Sequence, residues 1–321
     1  MADPTPLLQI GEITDRMRDA LAGAFEPVEL LTHPDRAALL RDRGADFPAI
    51  LTNGHHGVPD DVAAALANLE VVSSYGVGYD AIDADAFADR GILIGHTPTV
   101  LNDEVAVTAV MLWLACYRGL IDADAHARSG AWEDGNFRLT KSPMDRKVGI
   151  LGLGRIGQTI AGMVGAFRAE VHYHSRSAKD VPYTYHDGAE ALARAVDVLI
   201  VITPGGAETD KMVDRAVLDA LGAEGCLINV SRGSVVDEDA LVAALRDGRL
   251  GMAGLDVFER EPVVPDALKA MTDRVVLAPH VGSATRETRA AMGDLTVRNL
   301  LQWKEAGTVE TPVPECRGLN G

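Results

Sequence analysis

The segment Lys147–Gly157, KVGILGLGRIG, constrains the fold more than any other, because an apolar run passes directly into a glycine-rich turn and then a helical pattern. Val148, Ile150 and Leu151 predict a buried strand, Gly152, Gly154 and Gly157 the turn, and Gln158–Phe167 the helix. A strand, turn and helix in this order form the phosphate-binding element of dinucleotide sites. Gly152 permits the tight turn, Gly154 lets a pyrophosphate approach bare backbone, and Gly157 lets the helix lie close to the strand. The unpaired N–H groups of the helix start then face the phosphates. Glycines also serve such turns in folds that bind no nucleotide, so the rest of the chain has to decide.

With 321 residues, the chain is long enough for two domains, and 47% hydrophobic content with only 5% aromatic residues suits layers of helix and sheet. A net charge of −17 repels nucleic-acid phosphates and anionic membrane surfaces, so neither is an expected partner. No run approaches the roughly 20 apolar residues of a membrane span, and MADPTPLLQI has neither a basic segment nor an apolar signal core. A cytoplasmic location is therefore the expectation. Cys116, Cys226 and Cys316 are scattered and form no CxxC pair, which argues against a disulfide framework or a metal site.

Short apolar runs alternate with helical patterns from the start: PLLQI, a helix over Glu12–Ala22, VELL, a helix over Pro34–Asp42, and PAILT. The rhythm continues with helices over Pro59–Ala67 and Asp83–Asp89 and strands at Leu69–Ser74 and Ile92–Gly95. One uninterrupted helix is predicted over Asn102–Arg128, as a bridge between domains. After the glycine motif come AEVHYHS, DVLIVIT, CLINVS, GMAGLDV and RVVLAP, so six strands are expected in the second sheet. A final helix over Arg286–Ala306 runs back to the first unit. The expected class is α/β, with two Rossmann-like or flavodoxin-like, doubly wound parallel-sheet domains and a cleft between them. Residues 1–100 and 287–321 make a discontinuous substrate domain, and 101–286 the nucleotide-binding domain.

About 20 residues beyond the motif, NAD sites place an acidic residue on the ribose. This chain has Ser175, Arg176 and Ser177 there. A guanidinium binds a 2'-phosphate bidentately and hydroxyls donate to it, which favours NADP(H) while leaving NAD(H) possible.

Ligands of open parallel sheets lie outside the carboxyl ends of the strands. Arg232 follows one strand, Glu261 lies a few residues beyond the next, and His280 follows the last. Singly, a loop Arg or Glu is usually solvated and a lone His is usually a packing residue. Together they suit a carbonyl that accepts hydride: His280 donates the proton, Glu261 fixes its tautomer and favours imidazolium, and Arg232 binds the carboxylate and carbonyl oxygen of a 2-oxo acid. In the first domain, N–H groups of Gly76, Val77 and Gly78 are candidates for an anion-binding concavity, although the same glycines also suit a simple change of chain direction.

From about Leu69 to Pro314 the chain resembles the D-isomer-specific 2-hydroxyacid dehydrogenases, in particular the glyoxylate/hydroxypyruvate and hydroxyphenylpyruvate reductase branch. VVSSYGVGYDAID, GILIGHTPTVLNDEVA, RSGAWEDGNFRLT, VGILGLGRIG, YHSRS, INVSRGSVVDEDALVAALRDGRLGMAGLDVFEREP and LAPHVGSAT carry the likeness. The resemblance implies the roles given above to Arg232, Glu261 and His280, and places Asp256 near the nicotinamide carboxamide. It also places Arg155 and Ile156 along the pyrophosphate, Thr203 and Val230 along the cofactor, and Gly282 and Ser283 near the nicotinamide. It implies NADPH-dependent reduction of a 2-oxo acid to the D-hydroxy acid by a homodimer that uses the helix after Asn102. His96 and the loop Gly205–Thr209 depart from the family's usual pattern. The alternatives are a nucleotide-sensing, corepressor-like binding protein of the same fold, which no sequence feature favours, and a phosphoglycerate, formate or phosphite dehydrogenase. Glu261 disfavours formate oxidation, because the resembling formate enzymes carry Gln at that place.

Overall fold

The computed structural model describes residues 3–321, which fall into two compact units: one of residues up to Leu101 together with Thr285–Gly321, the other of Asn102–Ala284.

The first unit contains β1 (Thr5–Gln9), α1 (Asp15–Leu21), β2 (Phe25–Glu29), α2 (Arg36–Arg43), β3 (Ala49–Asn53), α3 (Asp60–Ala65), β4 (Val71–Tyr75), α4 (Ala84–Asp89) and β5 (Leu93–Gly95). Its five strands are parallel in the order β2-β1-β3-β4-β5. Strands buried on both faces need continuous apolar runs, and Leu7, Leu8, Ile50, Val71, Val72 and Ile94 are indeed fully buried. The predicted first helix begins at Asp15 rather than Glu12, because the Thr14 side chain caps it by accepting from the Met17 N–H at 3.2 Å.

The second unit holds α5 (Asn102–Arg118), α6 (Leu120–Arg128), β6 (Lys147–Leu151), α7 (Arg155–Gly165), β7 (Glu170–His174), β8 (Thr184–Tyr185), α8 (Ala189–Ala195), β9 (Val198–Val201), α9 (Arg215–Leu221), β10 (Cys226–Asn229), α10 (Glu238–Arg246), β11 (Met252–Leu255), α11 (Asp266–Ala270) and β12 (Val275–Leu277). Its sheet has seven parallel strands, not six, in the order β12-β11-β10-β9-β6-β7-β8. The additional strand, β8, is only two residues long and carries no apolar run that would have announced it.

The helix predicted over Asn102–Arg128 is broken. Gly119 adopts a left-handed conformation, φ 56°, and α6 departs from α5 at 58°. α5 packs closely on the sheet at Gly254 of β11, where a Cβ would lie 3.0 Å from Leu112 Cβ and 2.8 Å from Ile228 Cδ1. Among the described residues, no single helix is long and apolar enough to cross a membrane.

The last helix, α12 (Arg286–Ala306), belongs to the first unit. The Ser73 hydroxyl donates to Thr296 O at 2.9 Å, and Tyr75 donates to Arg289 O at 3.1 Å, which ties β4 to α12.

Candidate active site

Within the second unit the glycine turn lies at the carboxyl end of β6, an interior strand between β9 and β7. Gly152 has φ 107°, and a Cβ there would lie 2.8 Å from Ile202 O and 2.9 Å from Thr203 N. Gly157 lies within the first turn of α7, where a Cβ would stand 2.1 Å from Gly152 O. Gly154 differs: nothing lies within 4 Å of a Cβ built there, so its backbone is open on that side. Arg155 and Ile156 begin α7, whose N-terminal N–H groups open the helix without a side-chain cap. Thr203, two residues beyond the end of β9, has a buried hydroxyl that makes no hydrogen bond among the described residues. Val230 is buried beyond β10. An uncapped helix start, an open glycine and an unpaired buried hydroxyl together fit a dinucleotide.

Ser175 follows β7 half-buried, and its hydroxyl donates to Ser177 O at 2.7 Å, while Arg176 and Ser177 are exposed. No carboxylate occupies this strand end.

The three residues predicted at strand ends all belong to this unit. Arg232 follows β10 in a turn organised by Asn229: its Nδ2 donates to Arg232 O at 3.0 Å, and its Oδ1 accepts from Ser231 N and Oγ at 3.1 and 2.9 Å. One Arg232 nitrogen donates to Ser231 O at 2.9 Å. His280 Nδ1 lies 2.7 Å from Glu261 Oε2, and the other Glu261 oxygen accepts from Phe258 N at 3.0 Å. Burial pushes the Glu261 carboxyl up, but the bonds from His280 and Phe258 and the charges of His280 and Arg232 outweigh it and hold the group below its usual range.

Asp256 holds the turn that presents His280. Its Oδ1 and Oδ2 accept from the N–H groups of Val281 and Gly282 at 2.7 and 2.8 Å, and its backbone O accepts from His280 N at 2.8 Å. Burial dominates its titration and raises it, against those two N–H bonds. Ser283, next in the turn, is half-buried.

In the first unit the segment Gly76–Gly78 follows β4. The Gly76 N–H is already engaged, donating to Ser74 O at 3.0 Å, so a concavity for an anion there rests on Val77 and Gly78 alone. Sequence reasoning treated His96 only as a departure. In the structure it is 5% exposed, its Nδ1 lies 3.0 Å from Val77 O, and its ring meets Tyr79 edge-on at 5.5 Å. His96 thus supports the loop after β4; its position directly after β5 was the available signal. Asn229 was also missed, although an amide two residues before Ser231 is a common way to fix a turn.

The family model of the D-isomer specific 2-hydroxyacid dehydrogenase NAD binding domain matches residues 110–282. The chain is 42% identical to the glyoxylate/hydroxypyruvate reductase A of Arabidopsis thaliana over 96% of its own length and 98% of the relative's. It is 41% identical to the hydroxyphenylpyruvate reductase of Plectranthus scutellarioides, again over 96% and 98%. A solved NADPH-dependent glyoxylate/hydroxypyruvate reductase of Sinorhizobium meliloti, in complex with NADP and malonate, superimposes with a TM-score of 0.92 at 44% identity, covering 98% of each chain. With this match and these relatives, the chain belongs to the D-isomer specific 2-hydroxyacid dehydrogenase family and is an enzyme of that family.

Proposed function

We propose that the protein is an NADPH-dependent reductase of 2-oxo acids of the glyoxylate and hydroxypyruvate type, forming D-2-hydroxy acids. The observation that carries this reading is the 2.7 Å contact between His280 Nδ1 and Glu261 Oε2, in the same unit as a glycine turn fit for a dinucleotide. The names of the Arabidopsis and Sinorhizobium relatives support the substrate class, and malonate in the latter's complex is itself a carboxylate. The absence of an acidic residue at the end of β7, with Ser175, Arg176 and Ser177 in its place, supports NADPH, as does the named NADPH dependence of the Sinorhizobium enzyme.

A bound nicotinamide supplies the hydride. With Nδ1 committed to Glu261, His280 has Nε2 left to donate a proton to the carbonyl oxygen as negative charge develops there. Glu261, held ionised by its partners, balances the imidazolium before transfer and fixes the ring's tautomer. The Arg232 guanidinium offers a planar fork to the carboxylate and the carbonyl oxygen.

The enzyme works as a homodimer in this reading. The apolar side chains of Val107, Met111, Leu120 and Ile121 on α5 and α6 are about half exposed, a face suited to a second copy. Oxidation of NADPH should be measured across glyoxylate, hydroxypyruvate, hydroxyphenylpyruvate, pyruvate and 2-ketogluconate, with NADH in parallel. Turnover of one of the first three with NADPH ahead of NADH is expected; inactivity toward all five would refute the proposal.

A further inference from the structure

The loop after β7 that carries Ser175, Arg176 and Ser177 is not shaped by its own residues alone. Tyr173, 1% exposed, holds it from beneath. The phenolic oxygen accepts from the Lys179 N–H at 2.7 Å and donates to Lys179 O at 3.2 Å. One buried hydroxyl therefore satisfies both backbone groups of a single residue and closes residues 174–178 into a ring. Ser175 tightens the ring from within through its bond to Ser177 O.

The anchor itself is fixed. Tyr185 of β8 packs against Tyr173 with ring centroids 5.4 Å apart, and His174 Nδ1 lies 2.8 Å from His186 O. His174 O accepts from Gly152 N at 2.9 Å, so the strand end that bears the loop is also bonded to the glycine turn. A phenylalanine at position 173 would fill the same core space. The hydroxyl adds only the two bonds to Lys179, and both act on the loop.

We propose that Tyr173 is a positioning residue for the 2'-phosphate of NADP(H), its hydroxyl setting the loop that presents Ser175, Arg176 and Ser177. The proposal rests on the NADPH reading above. Charge-assisted bonds to a phosphate depend strongly on donor placement, and an exposed loop that must order on binding loses affinity. The clamp from Tyr173 meets that ordering cost in the folded protein before the ligand arrives.

The test is calorimetric binding of 2',5'-ADP and of 5'-AMP to the full chain and to Tyr173→Phe, with kinetics and thermal unfolding measured on the same samples. The wild type should bind 2',5'-ADP more tightly than 5'-AMP. Tyr173→Phe should weaken 2',5'-ADP about five- to tenfold and leave 5'-AMP within about twofold, the scale of one or two lost positioning bonds. KM for NADPH should rise by a similar factor with kcat unchanged. In an Arg176→Ala background the Tyr173→Phe change should add no further loss of selectivity, because the two act through one contact. Hydrogen exchange on the wild type gives an arm independent of the variant's folding: the Lys179 amide should be protected although its residue is exposed. An unchanged affinity for 2',5'-ADP, an equal loss for both nucleotides, or an unprotected Lys179 amide would overturn the role of Tyr173. A wild type that binds both nucleotides equally would overturn the NADPH reading instead.

Discussion

His280 and Glu261 meet Nδ1 to Oε2 at 2.7 Å, although the histidine ring is about half exposed and its backbone lies in the left-handed region at φ 52°. A non-glycine residue held there is strained unless its surroundings fix it. Asp256 does so with three hydrogen bonds to the backbone of residues 280–282. The geometry thus separates two tasks: Glu261 orients the ring, and Asp256 orients the chain that bears it.

Replacing His280 by alanine should lower kcat by a factor on the order of 100 or more, the scale of a lost general acid, with cofactor affinity nearly unchanged. Steady-state kinetics beside a fluorescence titration of NADPH separates the two quantities. A normal turnover number would remove His280 from the mechanism.

Glu261→Gln keeps the shape of the side chain but loses the charge opposite the imidazolium. Its kcat should fall roughly tenfold or more, less than for His280→Ala. The folded carboxyl titrates below its unfolded value, so its contribution to stability is complete above about pH 4.5 and disappears as pH falls through the folded value. Acid-unfolding curves of the variant should therefore show a shallower loss of stability in that window, and superimposable curves would contradict the assignment.

Arg232→Lys retains a positive charge without the planar fork. The KM for the 2-oxo acid should rise on the order of 10- to 100-fold, matching the loss of a charged hydrogen-bonded pair, while NADPH binding is preserved. Efficiency equal to that of the wild type would exclude Arg232 from substrate binding.

The glycines of the turn should separate into two classes. Gly157→Ala puts a methyl 2.1 Å from Gly152 O and should destabilise the unit by about 1–3 kcal/mol or more, seen as a lowered Tm. Gly154→Ala meets no atom within 4 Å and should leave Tm nearly unchanged while weakening dinucleotide binding, because the methyl fills the space a pyrophosphate needs. Equal effects of the two variants on both measurements would be inconsistent with the geometry.

Strand ends were the legible part of this chain. Continuous runs such as DVLIVIT and CLINVS read directly as buried parallel strands, and the polar residues after them had few other places to be. The break at Gly119 was not legible: a helix tolerates an isolated glycine, and the apolar spacing carries on from Leu112 through Leu120 without a gap. Tyr173 was equally hidden, because in the sequence it is one more aromatic residue on a strand. Its bonds to Lys179 run to backbone groups, and residue identity carries no sign of those. The first unit's glycine segment was read one N–H too generously, since the bond from Gly76 to Ser74 depends on turn geometry rather than on composition.

The place of α12 in the first unit has a consequence for how the molecule is made. Ser73 is bonded to Thr296, and Leu300, Val309, Val313 and Cys316 lie in one core with Leu7 and Val71. A ribosome delivers the amino-terminal strands long before the segment that completes their hydrophobic interior, whereas the nucleotide-binding unit is complete once Ala284 has emerged. The second unit in sequence is then the first able to finish folding, and the earliest-made strands wait with apolar surface uncovered. Molecules truncated before Arg286 should therefore be targets for chaperones and proteases while retaining a folded dinucleotide-binding unit.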